Sequence, residues 1–138
     1  MRNNNKSYTD ISQSKKLAEI LPLESADTCF VNDGTSIKID ANPYNVRKLM
    51  WKDYVVEIIP CWSLAALLSV LPPYLFEFGR GIDLNVYPNL NGKGWHCSYM
   101  PNNIEDMKTD KFKLITSEDT LVDACVEMII KLNEQKLL

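Results

Sequence analysis

The closing stretch TLVDACVEMIIKLNEQKLL, residues 120–138, limits the possible folds more than any other part of the chain. Placed on a helix at about 100° per residue, Asp123, Glu127, Lys131 and Glu134 form one narrow polar stripe. Leu121, Val122, Ala124, Cys125, Val126, Met128, Ile129, Ile130 and Leu132 fill the rest, roughly two thirds of the circumference. A helix lying on one sheet in a small monomer needs an apolar stripe only somewhat wider than about 100°. This helix, capped by Asp119 or Thr120, is therefore expected to be buried on two sides, between neighbouring elements or at a subunit interface. On the second alternative Val126, Ile130 and Asn133 are the residues expected to meet a partner.

The remaining segments supply the neighbours. Thr9 or Asp10 caps a first helix carrying Ile11, Leu17, Ala18 and Leu21, which Pro22 terminates. Asn32-Asp33-Gly34 sits between two strand-like runs in TCFVNDGTSIKI and predicts a hairpin over about residues 28–39. The piece DANPYNVRKLMWKD has no clean period and reads as a loop whose Trp51 needs a docking place. YVVEIIP reads as a strand that leads into a helix with Leu64, Leu67, Leu68 and Leu71 at i, i+3, i+4, i+7, closed by Pro72-Pro73. IDLNVY and WHCSYM alternate in polarity around PNLNGKG and predict a second hairpin, with KFKLIT as a further strand. The order is α-β-β-α-β-β-(β)-α. It predicts an α+β fold in which an antiparallel sheet built from two hairpins carries about three helices. Residues 1–8 are polar and are expected to be a disordered tail, leaving 9–138 as a single domain.

Composition narrows the function. The 138 residues are 46% hydrophobic and 24% charged, ordinary globular values. The net charge is −3 and the fifteen Lys and Arg residues are scattered, which argues against nucleic acid as a partner. The longest apolar run, Leu64 to Leu71, is far short of the roughly 20 residues that span a bilayer. MRNNNKSYTD has no apolar core of a secretory signal, so a cytoplasmic protein is expected. Four cysteines at positions 29, 61, 97 and 125 lie far apart, with a single histidine and no CxxC, so neither a metal nor another cofactor is expected. The cysteines are expected to be free and buried.

Cys61, in IIPCWSLAALLSVLP, is the sharpest candidate for chemistry. Pro60 and Ser63 suit a helix start, where backbone N–H groups stabilise a thiolate. Against a nucleophile stand Trp62 beside it and Leu64 after it, which with Leu68 read as a structural anchor that pins the helix into the core. His96 is predicted to face solvent, because Trp95, Cys97 and Tyr99 alternate with it along a strand. It lacks both an orienting group and co-ligands for catalysis or metal binding. Asp123, Glu127 and Lys131 read as a solvated helix face held by an i,i+4 pair. GRG and GKG lack phosphate-loop spacing and are turn glycines. Tyr87, Met100 and Met107 are candidates for an exposed apolar patch that marks a partner site.

The segments DISQSKKLAEI, ESADTCFV, IIPCWSLAALLSVLP and TLVDACVEMIIKLNEQKLL, in that order, resemble a family of small uncharacterised proteins of prophages and mobile elements of gut bacteria. The final helix is similar, more distantly, to the last helix of phage α-β-α sandwich domains. The resemblance implies a bacterial host cell and an accessory role and brings no functional residues with it. Small phage accessory proteins mostly bind a host factor, a phage protein or copies of themselves. The function expected is thus a non-catalytic protein-binding or assembly module. The alternatives are a small enzyme using Cys61 and a nucleic-acid-associated phage factor.

Overall fold

The computed structural model describes residues 6–40, 57–77, 80–101 and 114–138. The segment around Trp51 expected to be a loop, Met107 and residues 1–5 lie outside them. The fold is α+β, as expected, but its strands form two antiparallel sheets rather than one. The chain groups into two compact units, Ser7–Leu67 and Leu68–Leu138 with Met1–Lys6.

In the first unit, α1 (Ile11–Ala18) starts at a capping box. The Asp10 carboxylate accepts from the Gln13 N–H at 2.8 Å, and the Asp10 N–H donates to Gln13 Oε1 at 3.1 Å. A single 3₁₀ turn, Leu23–Ser25, follows Pro22. Strands β1 (Thr28–Asn32), β2 (Ile37–Asp40) and β3 (Glu57–Cys61) form a sheet of order β2-β1-β3. The predicted hairpin joins β1 to β2 through a turn organised by Asp33. Its Oδ1 accepts from the Thr35 and Ser36 N–H groups, each at 2.9 Å, and from the Thr35 hydroxyl at 2.7 Å. These donors, Ser36 foremost, favour the charged carboxylate and lower its pKa to about 2. Phe30, Ile59 and Cys61 form the core on one face, with Ile11 and Ile39 against them.

Ser7 and Tyr8, which fall within the expected tail, are held against the segment Trp62 to Leu64. The Thr9 N–H donates to Trp62 O at 2.9 Å and the Leu64 N–H donates to Ser7 O at 2.9 Å. Tyr8 also sets its ring edge-on to Phe30 at 6.4 Å. Polarity concealed this pairing, because the contacts are made by backbone and by a single aromatic ring. Helix α2 (Leu64–Val70) follows at once. Ala66 and Leu67 are its buried positions and Leu71, just beyond its end, is buried as well, whereas Leu64 and Leu68 are partly buried.

In the second unit, β4 (Tyr74–Glu77), β5 (Arg80–Pro88), β6 (Trp95–Pro101) and β7 (Leu114–Glu118) pair in sequential order. Strand β4 is an addition to the predicted set. Cross-strand partners share a face, so the register sorts the side chains. Leu84–Tyr99–Leu114 and Val86–Cys97–Thr116 line one face, and Asn85–Ser98–Ile115 and Tyr87–His96–Ser117 line the other. Helix α3 (Leu121–Glu134) packs on β6 and β7 on the first face. There the Thr116 hydroxyl donates to Ala124 O at 2.7 Å. Of the two caps considered, Thr120 is the one used, its hydroxyl accepting from the Asp123 N–H at 3.0 Å. Thr120→Ala should cost about 1 kcal/mol, read as a lowered denaturant midpoint at unchanged slope. An unchanged midpoint would contradict the cap's role.

Candidate functional site

Pro60-Cys61-Trp62-Ser63 is the first place to look for chemistry, and its side chains are all committed to packing and capping. Cys61 and Trp62 are fully buried. The Cys61 thiol donates to Thr9 O at 3.4 Å, and the Thr9 hydroxyl donates to Cys61 Sγ at 3.6 Å. Thr9 Oγ1 also meets Ser14 Oγ at 2.7 Å and accepts from the Trp62 N–H at 3.2 Å. The indole N–H donates to Ser25 Oγ at 2.9 Å, and that hydroxyl donates to Pro22 O at 2.6 Å. Ser63 caps α2 by accepting from the Ala66 N–H at 3.2 Å. Its own N–H donates to Asp27 Oδ1 at 2.9 Å, and its hydroxyl donates to Asp27 Oδ2. A thiol that spends its proton on a backbone carbonyl in a solvent-free network serves as a packing group.

His96 lies on the opposite face from Cys97, as alternation requires, but it does not simply face solvent. It is partly buried, its Nδ1 is buried without a hydrogen-bond partner, and its ring lies 5.0 Å from that of Tyr87 at a 40° tilt. Ser98, two residues on, is fully buried with its hydroxyl likewise unpartnered. Alternation identifies the face of a side chain; it does not reveal what lies over that face.

The three residues named for a helical interface separate. Val126 and Ile130 are buried and Asn133 is exposed, so the helix does not present them together as an accessible apolar face. Asp123 is held by the Lys6 ammonium at 2.7 Å. Among the described residues no group of three His, Cys, Asp or Glu side chains is placed to hold a metal ion. No helix among them is long and apolar enough to cross a membrane.

The feature the sequence reading passed over is the tip of the β5–β6 hairpin. Leu90 is fully exposed, and Val86 and Tyr87 just before it are each 39% exposed. The turn that carries Leu90 is tightly bonded. The Asn89 N–H donates to Gly94 O and the Gly92 N–H donates to Asn89 O, both at 3.0 Å. The Asn89 side-chain amide donates to Lys93 O at 2.6 Å, and the Lys93 N–H donates to Asn91 Oδ1 at 2.9 Å. Gly92 and Gly94 supply the positive φ values, 73° and 89°. Of the apolar patch expected around Tyr87, Met100 is partly buried, while Met107 lies outside the described residues. The signal available in PNLNGKG was a leucine among turn-forming residues, where nothing local can cover it.

No protein-family model matches the chain, and neither curated proteins nor solved structures give a match.

Proposed function

We propose that the protein is a non-catalytic binding or assembly module of the phage-accessory kind. It meets a protein partner, or a second copy of itself, through the tip of the β5–β6 hairpin. The observation that carries this reading is Leu90, a large apolar side chain held wholly in water on a turn fixed by four hydrogen bonds. A rigid turn loses little conformational entropy on docking, and an aliphatic anchor entering a pocket contributes most of its energy through burial. The resemblance to small prophage proteins supports the same reading and a setting in the cytoplasm of a bacterial host. The reading requires no cofactor, metal, membrane or nucleic acid.

Burying a leucine contributes about 1.5–3 kcal/mol, so Leu90→Asp should weaken association by about tenfold or more. The same change should leave the unfolding midpoint within about 0.5 kcal/mol of the parent, because the site is solvated in the free protein. Tagged parent and variant, compared for co-purifying protein and for concentration-dependent mass by light scattering, give the test. Equal association by the two proteins would overturn the assignment of this surface.

A further inference from the structure

We infer that Asn91 is a modification site: in the folded protein, with water as the only co-reactant, it converts to aspartate and isoaspartate through a cyclic imide formed with the Gly92 backbone nitrogen. The chemistry is independent of the binding function proposed above. No other asparagine in the chain is followed by glycine, the residue that has no side chain to shield its own nitrogen from attack on the preceding side chain. Asn91, Gly92 and Lys93 are all exposed. A Cβ at Gly92 would meet nothing within 4 Å, so that side of the residue is open to solvent.

The turn also prepares the reacting carbonyl. The Lys93 N–H donates to Asn91 Oδ1 at 2.9 Å and so closes a ring that contains the Gly92 nitrogen. Negative charge grows on this oxygen when the nitrogen adds, and a donor already in place stabilises it. The Gly92 nitrogen, its proton taken up by base, bonds to the side-chain carbonyl carbon of Asn91. The carbon–nitrogen bond of the amide then breaks, and ammonia leaves with a proton returned from solvent. Water opens the imide in either of two ways. Addition at the side-chain carbonyl breaks the new bond and gives aspartate, whereas addition at the main-chain carbonyl breaks the original peptide bond and gives isoaspartate. One water is consumed and one ammonia released, with no change in oxidation state. The Gly92 N–H donates to Asn89 O at 3.0 Å, so attack awaits the opening of that one hydrogen bond at the exposed tip.

Asp33-Gly34, the one Asp-Gly pair in the chain, would form the same imide by losing water, and its turn opposes this. Loss of water needs a protonated carboxyl. Asp33 Oδ1 instead accepts from the Thr35 and Ser36 N–H groups and the Thr35 hydroxyl, which keep the carboxylate charged. The product at position 91 places a carboxylate next to Leu90 and makes the net charge one unit more negative.

The test incubates the intact protein in mildly alkaline buffer, with a parallel sample in urea. Charge variants are separated by anion exchange and mapped by peptide mass spectrometry with fragmentation that distinguishes isoaspartate. The result expected in the folded sample is an acidic species that accumulates with time, equimolar ammonia, and aspartate with isoaspartate at position 91, while Asp33 stays unchanged. Asn91→Gln should lose this species, because its longer side chain must close a larger ring, and the time course of the parent stands even where that variant is perturbed. An acidic species that forms only in urea, a first modification at another asparagine, or isoaspartate at position 33 ahead of position 91 would each overturn the inference.

Discussion

Trp62→Ala is expected to lower the stability of the protein by about 3–5 kcal/mol, the largest effect of any single substitution considered. The side chain is fully buried and is the largest such residue among the described ones. Its removal leaves a cavity where Ser7–Tyr8–Thr9 pairs with Trp62–Ser63–Leu64. It also strips Ser25 of the indole donor that ties the 3₁₀ turn to the start of α2. Native domains are stable by only about 5–15 kcal/mol, so the variant should unfold at a much lower urea concentration. Leu23→Ala provides the contrast, since Leu23 is 62% exposed and its loss should fall within about 0.5 kcal/mol. Urea midpoints for the two variants decide the matter. A Trp62→Ala loss below about 1 kcal/mol would show that the buried network does not anchor α2.

The second large effect is expected at Gly94, where two costs coincide. Its φ of +89° is one that L-residues rarely adopt, and a Cβ there would lie 2.4 Å from the backbone oxygen of Glu118. Gly94→Ala therefore combines about 1–2 kcal/mol of backbone strain with a clash that only movement of β7 or of the turn can relieve, for a total of about 2–4 kcal/mol. Gly92 isolates the first cost. It also has positive φ, at +73°, but a Cβ there meets nothing within 4 Å, so Gly92→Ala should cost only about 1–2 kcal/mol. Thermal or urea unfolding of the two variants separates strain from clash. Equal losses would mean that the approach of Glu118 to Gly94 does not constrain the turn. The same comparison bears on binding, because Gly94 closes the hydrogen-bonded turn that presents Leu90.

Local signals were legible in the sequence wherever a few neighbouring residues determine the outcome. Asn32-Asp33-Gly34 marked the first hairpin because the turn is bonded within itself, chiefly through the Asp33 carboxylate. Alternation in IDLNVY and WHCSYM identified β5, β6 and the face of each side chain. The narrow polar stripe of the last helix foretold the burial of Val122, Cys125, Met128 and Ile129. What was not legible is pairing between distant segments. Strand β4 has four residues after two prolines, too few to show a period, and its identity comes from lying beside β5. Likewise β3 completes a sheet with β1 instead of merging the two hairpins. At Cys61 the residues around the thiol signalled packing, but its partner Thr9, itself bonded to Ser14, lies some fifty residues earlier in the chain.

Hydrogen exchange on the protein, free and in the complex it is captured in, tests the binding surface most directly. The account predicts that amides over residues 86–94, above all Leu90 and Asn91 at the tip, exchange more slowly in the complex, and that Leu90→Asp abolishes the added protection. Unchanged exchange at the hairpin, with new protection on another element, would place the interface elsewhere and contradict the account.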